Sequence, residues 1–104
     1  MHEVKRIEIV ANSFELGKLL QALEKSGVHS HSVIRNVAGK QFHAGKEDLD
    51  MTMLDNVYIV AFFAPELLQP VVEAIQPLLN RFGGNCHITD VLEVSSIKGA
   101  DKLQ

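Results

Sequence analysis

The sequence predicts an α+β fold with the element order βαββαβ, the ferredoxin-like arrangement of a four-stranded antiparallel sheet with two helices on one face. Three observations lead to it. Strand and helix patterns follow one another as β-α-β and then again as β-α-β, each over about half of the chain. Right-handed crossovers place both helices on the same side of the sheet. The length of 104 residues, with 46% hydrophobic and 22% charged, fits one globular domain, residues 1–104.

The first half of the chain predicts a strand, a helix and a second strand. Residues 4–11 alternate polar and apolar side chains, which is typical of a strand. Asn12 and Ser13 then supply a helix N-cap, and Gly27 supplies a left-handed C-cap. Residues 30–37 predict the second strand. The helix between the strands carries one apolar stripe: Leu16, Leu19, Leu20 and Leu23.

The second half repeats this order. Residues 56–64 predict the most apolar strand, and residues 86–94 predict the fourth strand. Pro65 opens the second helix, and a pair of glycines ends it. Because two further prolines disturb the pattern, this helix either begins nearer Leu68 or is kinked at Pro77. Its apolar face comprises Leu68, Val71, Val72, Ile75, Leu79 and Phe82.

The predicted sheet leaves the face opposite the helices uncovered. The third strand is apolar on both faces, since Tyr58, Val60 and Phe62 alternate with residues that are also apolar. A large exposed apolar face is unusual on a monomer. We therefore expect a symmetric oligomer that buries this face.

Composition excludes several classes of protein. Ten Lys and Arg against thirteen Asp and Glu leave a net charge of −3, which argues against a dedicated nucleic-acid binder. Cys86 is the single cysteine, so no disulfide can form within the chain. The N-terminal residues lack the apolar core of a signal peptide, and no apolar stretch is long enough to span a membrane. We expect a soluble cytoplasmic protein with no membrane insertion.

Two glycine-containing segments are candidate ligand sites. Residues 38–55 form a long polar loop, and such loops tend to be functional. Within it, Gly39 lets a ligand approach the backbone and Lys40 offers a positive charge to a phosphate. Gly84 and Asn85 precede the fourth strand, where exposed amides could hold an anion or a nucleobase. A turn with a solvated lysine, and a helix C-cap followed by a turn, are the ordinary structural alternatives.

No residue pattern predicts catalysis, and we do not expect an enzyme. The spacing supports neither a Ser-His-Asp arrangement nor a carboxylate pair with separated pKa values. Cys86 is expected to be a small buried thiol in a strand rather than a nucleophile. His29 and His31 lie two residues apart, and together with Cys86 and His87 they leave a metal site open as an alternative.

Several features together resemble the PII signalling superfamily, in particular the PII-like group associated with inorganic-carbon uptake and carboxysomes. The element order agrees, as do the long loop between strands two and three and the Gly-Gly-Asn run before strand four. The resemblance covers the chain from Lys5 to about Ser96. Three segments carry it most closely: residues 9–12 (Ile-Val-Ala-Asn), 37–40 (Val-Ala-Gly-Lys) and 92–94 (Leu-Glu-Val).

This resemblance implies a homotrimer with the three sheets facing inward and an adenine nucleotide, ADP or AMP, in each cleft between subunits. The cleft is built from the end of strand one, the base of the long loop, called the T-loop (residues 38–55), and the start of strand four. The nucleotide orders the T-loop, which then docks on a protein partner, and bicarbonate is an expected second ligand. The matching positions are Asn12, Gly39, Lys40, Gly84, Asn85, Cys86 and His87.

The chain also departs from typical PII proteins. Its T-loop has no tyrosine, so uridylylation is not expected. Residues 83–87 lack the basic run that holds the ATP triphosphate, which favours a mono- or diphosphate. The tail, residues 95–104, has no cysteine and so no redox loop. Two alternatives stay open: a metal-responsive PII-like or copper-tolerance-like trimer, and a ferredoxin-like assembly module without a ligand.

Overall fold

The computed structural model describes residues 1–37 and 55–95. The predicted T-loop and tail therefore lie outside the described residues, except for Asp55 and Ser95. The βαββαβ order is confirmed. Its elements are β1 (His2–Asn12), α1 (Leu16–Lys25), β2 (His31–Val37), β3 (Asn56–Phe63), α2 (Leu68–Phe82) and β4 (Asn85–Glu93), with short 3₁₀ helices at Ser13–Glu15 and Pro65–Leu67.

The four described strands form one antiparallel sheet in the order β2-β3-β1-β4. In the central strand β1, Ile9 lies opposite Ile59 of β3 and Cys86 of β4. The pairing of β2 with β3 is irregular between Arg35 and Val37. There the intervening Asn36 has a φ of 58°, a conformation that asparagine tolerates better than most residues.

The hydrophobic core lies between the sheet and the two helices. Every second residue of β1 and β3 faces the helices, as the period of a strand requires. The apolar stripe of α1 is confirmed, because Leu16, Leu19 and Leu23 are buried and Leu20 is partly buried. The two central strands of the sheet, β1 and β3, contribute seven core residues: Ile7, Ile9, Ala11, Val57, Ile59, Ala61 and Phe63.

The predicted N-cap belongs to the 3₁₀ helix that precedes α1, and the predicted C-cap lies at the end of α1. The backbone N–H of Phe14 donates to Oδ1 of Asn12 over 2.9 Å. Asn12 therefore caps the 3₁₀ helix, and α1 itself begins only at Leu16. At the other end Gly27 has a φ of +104°, and its amide donates to the carbonyl of Glu24.

The start of α2 resolves one of the open alternatives. Pro65 opens a 3₁₀ helix, and the α-helix begins at Leu68 and continues past Pro77 to Phe82. Pro70 falls in the first turn, where a backbone N–H has no acceptor within the helix. The missing donor of Pro70 therefore leaves the hydrogen bonding of the helix intact.

The predicted apolar face of α2 is only partly buried. Val71 and Ile75 are buried against the sheet, while Val72 is 40% exposed and Phe82 is 36% exposed. These two residues of the apolar face therefore lie outside the buried core. Val72 lies on the rim of the groove between α2 and β4, and Phe82 packs against charged side chains at the helix end. Among the described residues, no helix has both the length and the hydropathy that crossing a membrane requires.

Candidate functional site

The candidate site lies at the edge of the sheet where β1 ends and β4 begins. Asn12 lies opposite Asn56, and Val10 lies opposite Asn85. At the same edge Val37, the last residue of β2, also lies opposite Asn56. Two of the three predicted parts of the cleft, the end of strand one and the start of strand four, are thus brought together.

The two ends of the T-loop segment emerge beside them. The backbone N–H of Ser13 donates to the carbonyl oxygen of Asp55 over 2.6 Å, which ties the start of β3 to the end of β1. Gly39 and Lys40 lie outside the described residues.

The turn between α2 and β4 packs directly against β1. Gly83 and Gly84 have φ values of +84° and +109°, and the amide of Gly83 donates to the carbonyl of Leu79 over 2.8 Å. A Cβ atom on Gly84 would lie 2.9 Å from the carbonyl oxygen of Val10. Close approach of the two backbones therefore requires glycine at position 84, whereas Gly83 serves as the helix C-cap.

Cys86 and His87 point to opposite faces of the sheet. His87 is exposed on the open face, opposite Glu8. The Cys86 thiol instead lies on the helical side and lines, with Ile75 and Leu79, a groove of about 210 Å³ between α2 and β4. Burial raises the pKa of the Cys86 thiol to about 11, so the thiol is neutral at physiological pH. A ligand at the site edge can meet only the backbone of this residue.

Asn56 is a residue of this edge that the sequence interpretation passed over. It is 3% exposed and is the only polar residue in the described part of the chain that is fully buried. A buried amide is expected to be hydrogen-bonded, and Asn56 has an interaction partner. In the sequence, Asn56 stands out as an asparagine at the first position of an otherwise apolar strand, directly after the T-loop, and this pattern points to a special role.

The open face of the sheet combines apolar side chains with one fixed polar cluster. Ile34 and Phe62 are 56% and 50% exposed there. Arg6 forms an ion pair with Glu8, and its Nη2 donates to the hydroxyl of Tyr58 over 3.0 Å. The open face therefore presents exposed apolar side chains next to the guanidinium of Arg6, which already has partners within the chain.

The metal alternative gains no geometric support from the described residues, which contain no group of three His, Cys, Asp or Glu side chains able to hold a metal ion. His29 precedes β2, and its Nδ1 lies 3.0 Å from a carboxylate oxygen of Glu24. His31 is the first residue of β2, so the two histidines do not share a strand.

Comparisons with known proteins agree with this geometry. A family model described as nitrogen regulatory protein P-II matches residues 4–101. A comparison with curated protein sequences finds no match.

Solved structures with the same fold include CPII from Thiomonas intermedia K12, in a structure bound to ADP and bicarbonate. It is 24% identical over 88% of this chain and 89% of that chain, with a TM-score of 0.75. The GlnK–ATP complex of B. subtilis is 20% identical over 94% of this chain and 91% of that chain, with a TM-score of 0.69. Since the family model spans nearly the whole sequence, this chain belongs to the nitrogen regulatory protein P-II family.

Proposed function

We propose that this protein is a PII-like regulator that binds ADP or AMP in the clefts between the subunits of a homotrimer. In this proposal its T-loop passes the signal to a protein partner in carbon metabolism. One observation carries the proposal. The end of β1, the start of β4 and both ends of the T-loop segment meet at one edge of the sheet. These are the parts from which PII-like proteins build their nucleotide cleft.

In this proposal the cleft uses mostly backbone groups. Gly84 and Asn85 lie directly against β1, and Asn12 carries a side-chain amide group that can donate a hydrogen bond. Gly39 allows the T-loop backbone to approach the nucleotide, and Lys40 meets a phosphate. Cys86 contributes only its backbone, and the imidazole of His87 lies on the open face, where it can reach a ligand shared with a neighbouring subunit.

The charge of the cleft favours a short phosphate chain. Residues 83–87 contain no Lys or Arg, so Lys40 is the only cation among the proposed ligands. A triphosphate would carry more negative charge than one lysine compensates. The solved CPII structures bound to ADP and bicarbonate, and to ADP, AMP and bicarbonate, support these ligands as candidates here. If both bind beside the T-loop, each lowers the ordering cost for the other, which gives positive coupling.

The open face of the sheet supports the proposed trimer. Exposed Ile34 and Phe62 surround a polar cluster whose charges are paired within the chain. Burial of this face against two further copies removes the apolar area from water. It also sets the edge that carries Asn12 and Gly84 next to a neighbouring subunit, which completes the cleft.

The test is direct identification of the ligand. Purified protein is denatured, the released nucleotide is identified by chromatography, and the stripped protein is titrated calorimetrically with ADP, AMP and ATP, with and without bicarbonate. We expect ADP or AMP to bind more tightly than ATP, and bicarbonate to strengthen that binding. Absence of any nucleotide binding would favour the ligand-free assembly module, and tight binding of copper without nucleotide would favour the metal-responsive trimer.

A further inference from the structure

The solvent-facing side of α1 and the last turn of α2 share one surface, which we call the Phe14 surface. It comprises Phe14, Gly17, Lys18, Arg81 and Phe82. Phe14 is 82% exposed, and Gly17 and Lys18 follow it by three and four residues, so all three are neighbours on the helical surface. The Lys18 Nζ lies 5.0 Å from the centre of the Phe82 ring, and the Arg81 Cζ lies 5.3 Å from it. Phe82 of α2 thus lies next to two cations, and the exposed Phe14 lies in the 3₁₀ helix that leads into α1.

The packing of the fold does not explain why residue 17 is a glycine. It is the second residue of α1, its φ is not in the left-handed region, and a Cβ atom placed on it would meet no atom within 4 Å. Glycine is the least favourable residue in a helix after proline, so alanine at this position would stabilise the chain by itself. The absence of a side chain leaves open space beside Phe14, where another molecule can come close to the helix backbone.

The cations of the Phe14 surface are held in place and are weakly compensated. Arg81 forms no ion pair with any described residue, and the Glu15 oxygen nearest to the Lys18 Nζ is 3.7 Å away. Contact with the Phe82 ring restricts both cations before any partner arrives, which lowers the entropic cost of binding. Exposed aromatic rings beside arginine are the composition that protein interfaces favour. The two cations, Lys18 and Arg81, outnumber Glu15, the carboxylate that pairs with Lys18.

We propose that the Phe14 surface binds an acidic segment of a partner protein, whose carboxylates meet Lys18 and Arg81 and whose apolar side chain lies over Gly17 against Phe14. The surface belongs to the helical layer, on the opposite side of the sheet from the open face. It therefore stays accessible when the open face is buried. This proposal does not depend on the proposed nucleotide site. An experiment that contradicts one of the two proposals leaves the other standing.

The first test uses a synthetic peptide in which one phenylalanine is flanked by glutamates, titrated into the full-length ¹⁵N-labelled protein. We expect shifts of amide resonances confined to residues 14–18 and 81–83, which fade at about 0.5 M salt because screening weakens exposed charge pairs. The Lys18→Ala, Arg81→Ala double variant should bind about fivefold more weakly. A peptide with lysines in place of glutamates is the matched control, and equal shifts with it, or no shifts at these residues, would overturn the proposal.

The second test separates binding from folding. Gly17→Ala should raise the melting temperature by about 2–6 °C and yet weaken peptide binding at least about fivefold, since a methyl group enters the open space. Gln21→Ala, one turn further along the exposed side of α1, should leave the peptide affinity unchanged. Unchanged affinity in Gly17→Ala contradicts the proposal. So does a lower assembly mass in Phe14→Ser, because the surface would then be a contact between copies of this chain. ADP affinity, measured on each variant, should not change.

Discussion

Arg6 of β1 donates from its Nη2 to the hydroxyl oxygen of Tyr58 of β3 over 3.0 Å, across the face of the sheet opposite α1 and α2. The same guanidinium forms an ion pair with Glu8. Phe62 lies directly opposite Arg6 on β3 and is half exposed. Because Arg6 and Glu8 are paired with each other within the chain, burial of this pair against another copy leaves neither of the two ions without a partner.

Assembly through the open face predicts that Phe62→Asp dissociates the trimer. The wild-type protein should scatter light with a mass of roughly 35 kDa, three times 11.5 kDa, and the variant with the mass of one chain, because a new carboxylate would be buried without a partner. Val72→Asp is the matched control, since Val72 is similarly exposed but lies on the helical side. A wild-type monomer at micromolar concentration contradicts the trimer.

The close approach of Gly84 to β1 predicts unequal effects of alanine at the two turn glycines. Gly84→Ala combines a φ of +109° with a Cβ 2.9 Å from the Val10 carbonyl, and should lower the free energy of unfolding by about 2–4 kcal/mol. Gly83→Ala meets no atom within 4 Å and should cost only about 1 kcal/mol for its positive φ. Urea denaturation of both variants measures the difference. Equal losses would show that the contact with β1 adds nothing.

Burial of the Cys86 thiol predicts slow alkylation in the folded protein. With its pKa raised from 9.0 to about 11 by burial, the thiol should react with iodoacetamide far more slowly at pH 8 than after unfolding in urea. Folding favours the protonated form. The contribution of this thiol to the free energy of unfolding should therefore be constant below pH 9. It should fall as the pH rises from 9 to 11, because only the thiol of the unfolded chain ionises there. Cys86→Ser should lack this pH-dependent fall in stability. Equal rates of alkylation in the folded and the unfolded protein would contradict the burial of the thiol.

The proposed phosphate contact of Lys40 predicts weaker nucleotide binding in Lys40→Ala. Loss of one hydrogen bond to a charged phosphate should reduce the binding free energy of ADP by about 1.5–3 kcal/mol. Lys25→Ala is the control, because Lys25 ends α1 at the opposite end of the helix from the candidate site. If calorimetry gives the same affinity for wild type and Lys40→Ala, Lys40 is a solvated loop residue.

Coupling between nucleotide and bicarbonate predicts a change in amide exchange across residues 40–55. Each ligand alone should slow hydrogen exchange there, and the two together should slow it more than the sum of their separate effects. The amides of β1 and β3, which lie within the sheet, serve as the internal reference. Exchange that is identical in all four conditions would mean that signalling runs through another part of the chain.

The sequence predicted those features of the fold that depend on short-range periodicity. The leucine stripe from Leu16 to Leu23 and the left-handed Gly27 appear as expected, because side-chain period and backbone freedom are local properties. The place of Phe82 was not predictable in this way. Its position fits the stripe of α2, but its ring is 36% exposed and packs against Lys18 from another helix.

The candidate site was predicted as a set of positions, and its geometry needed the register of the sheet. Cys86 and His87 point to opposite faces because they are neighbours in a strand. Which of them faces the core follows from the pairing of β4 with β1, which places Cys86 opposite Ile9. The contact between Gly84 and Val10 depends on the same register. Asn56 was passed over because a buried polar residue cannot be told from an exposed one by its spacing alone.

The bond between Ser13 and Asp55 and the pairing of Val37 with Asn56 fix both points at which residues 38–54 leave and rejoin the sheet. The entropy of closing a loop grows slowly with its length, by about 0.6 kcal/mol for each doubling. A foreign recognition peptide could therefore be grafted between these two points, or the native one lengthened, at little expense to folding. The same separation of loop and sheet allows residues 38–54 to change in length and composition while the pairing of the four strands stays as it is.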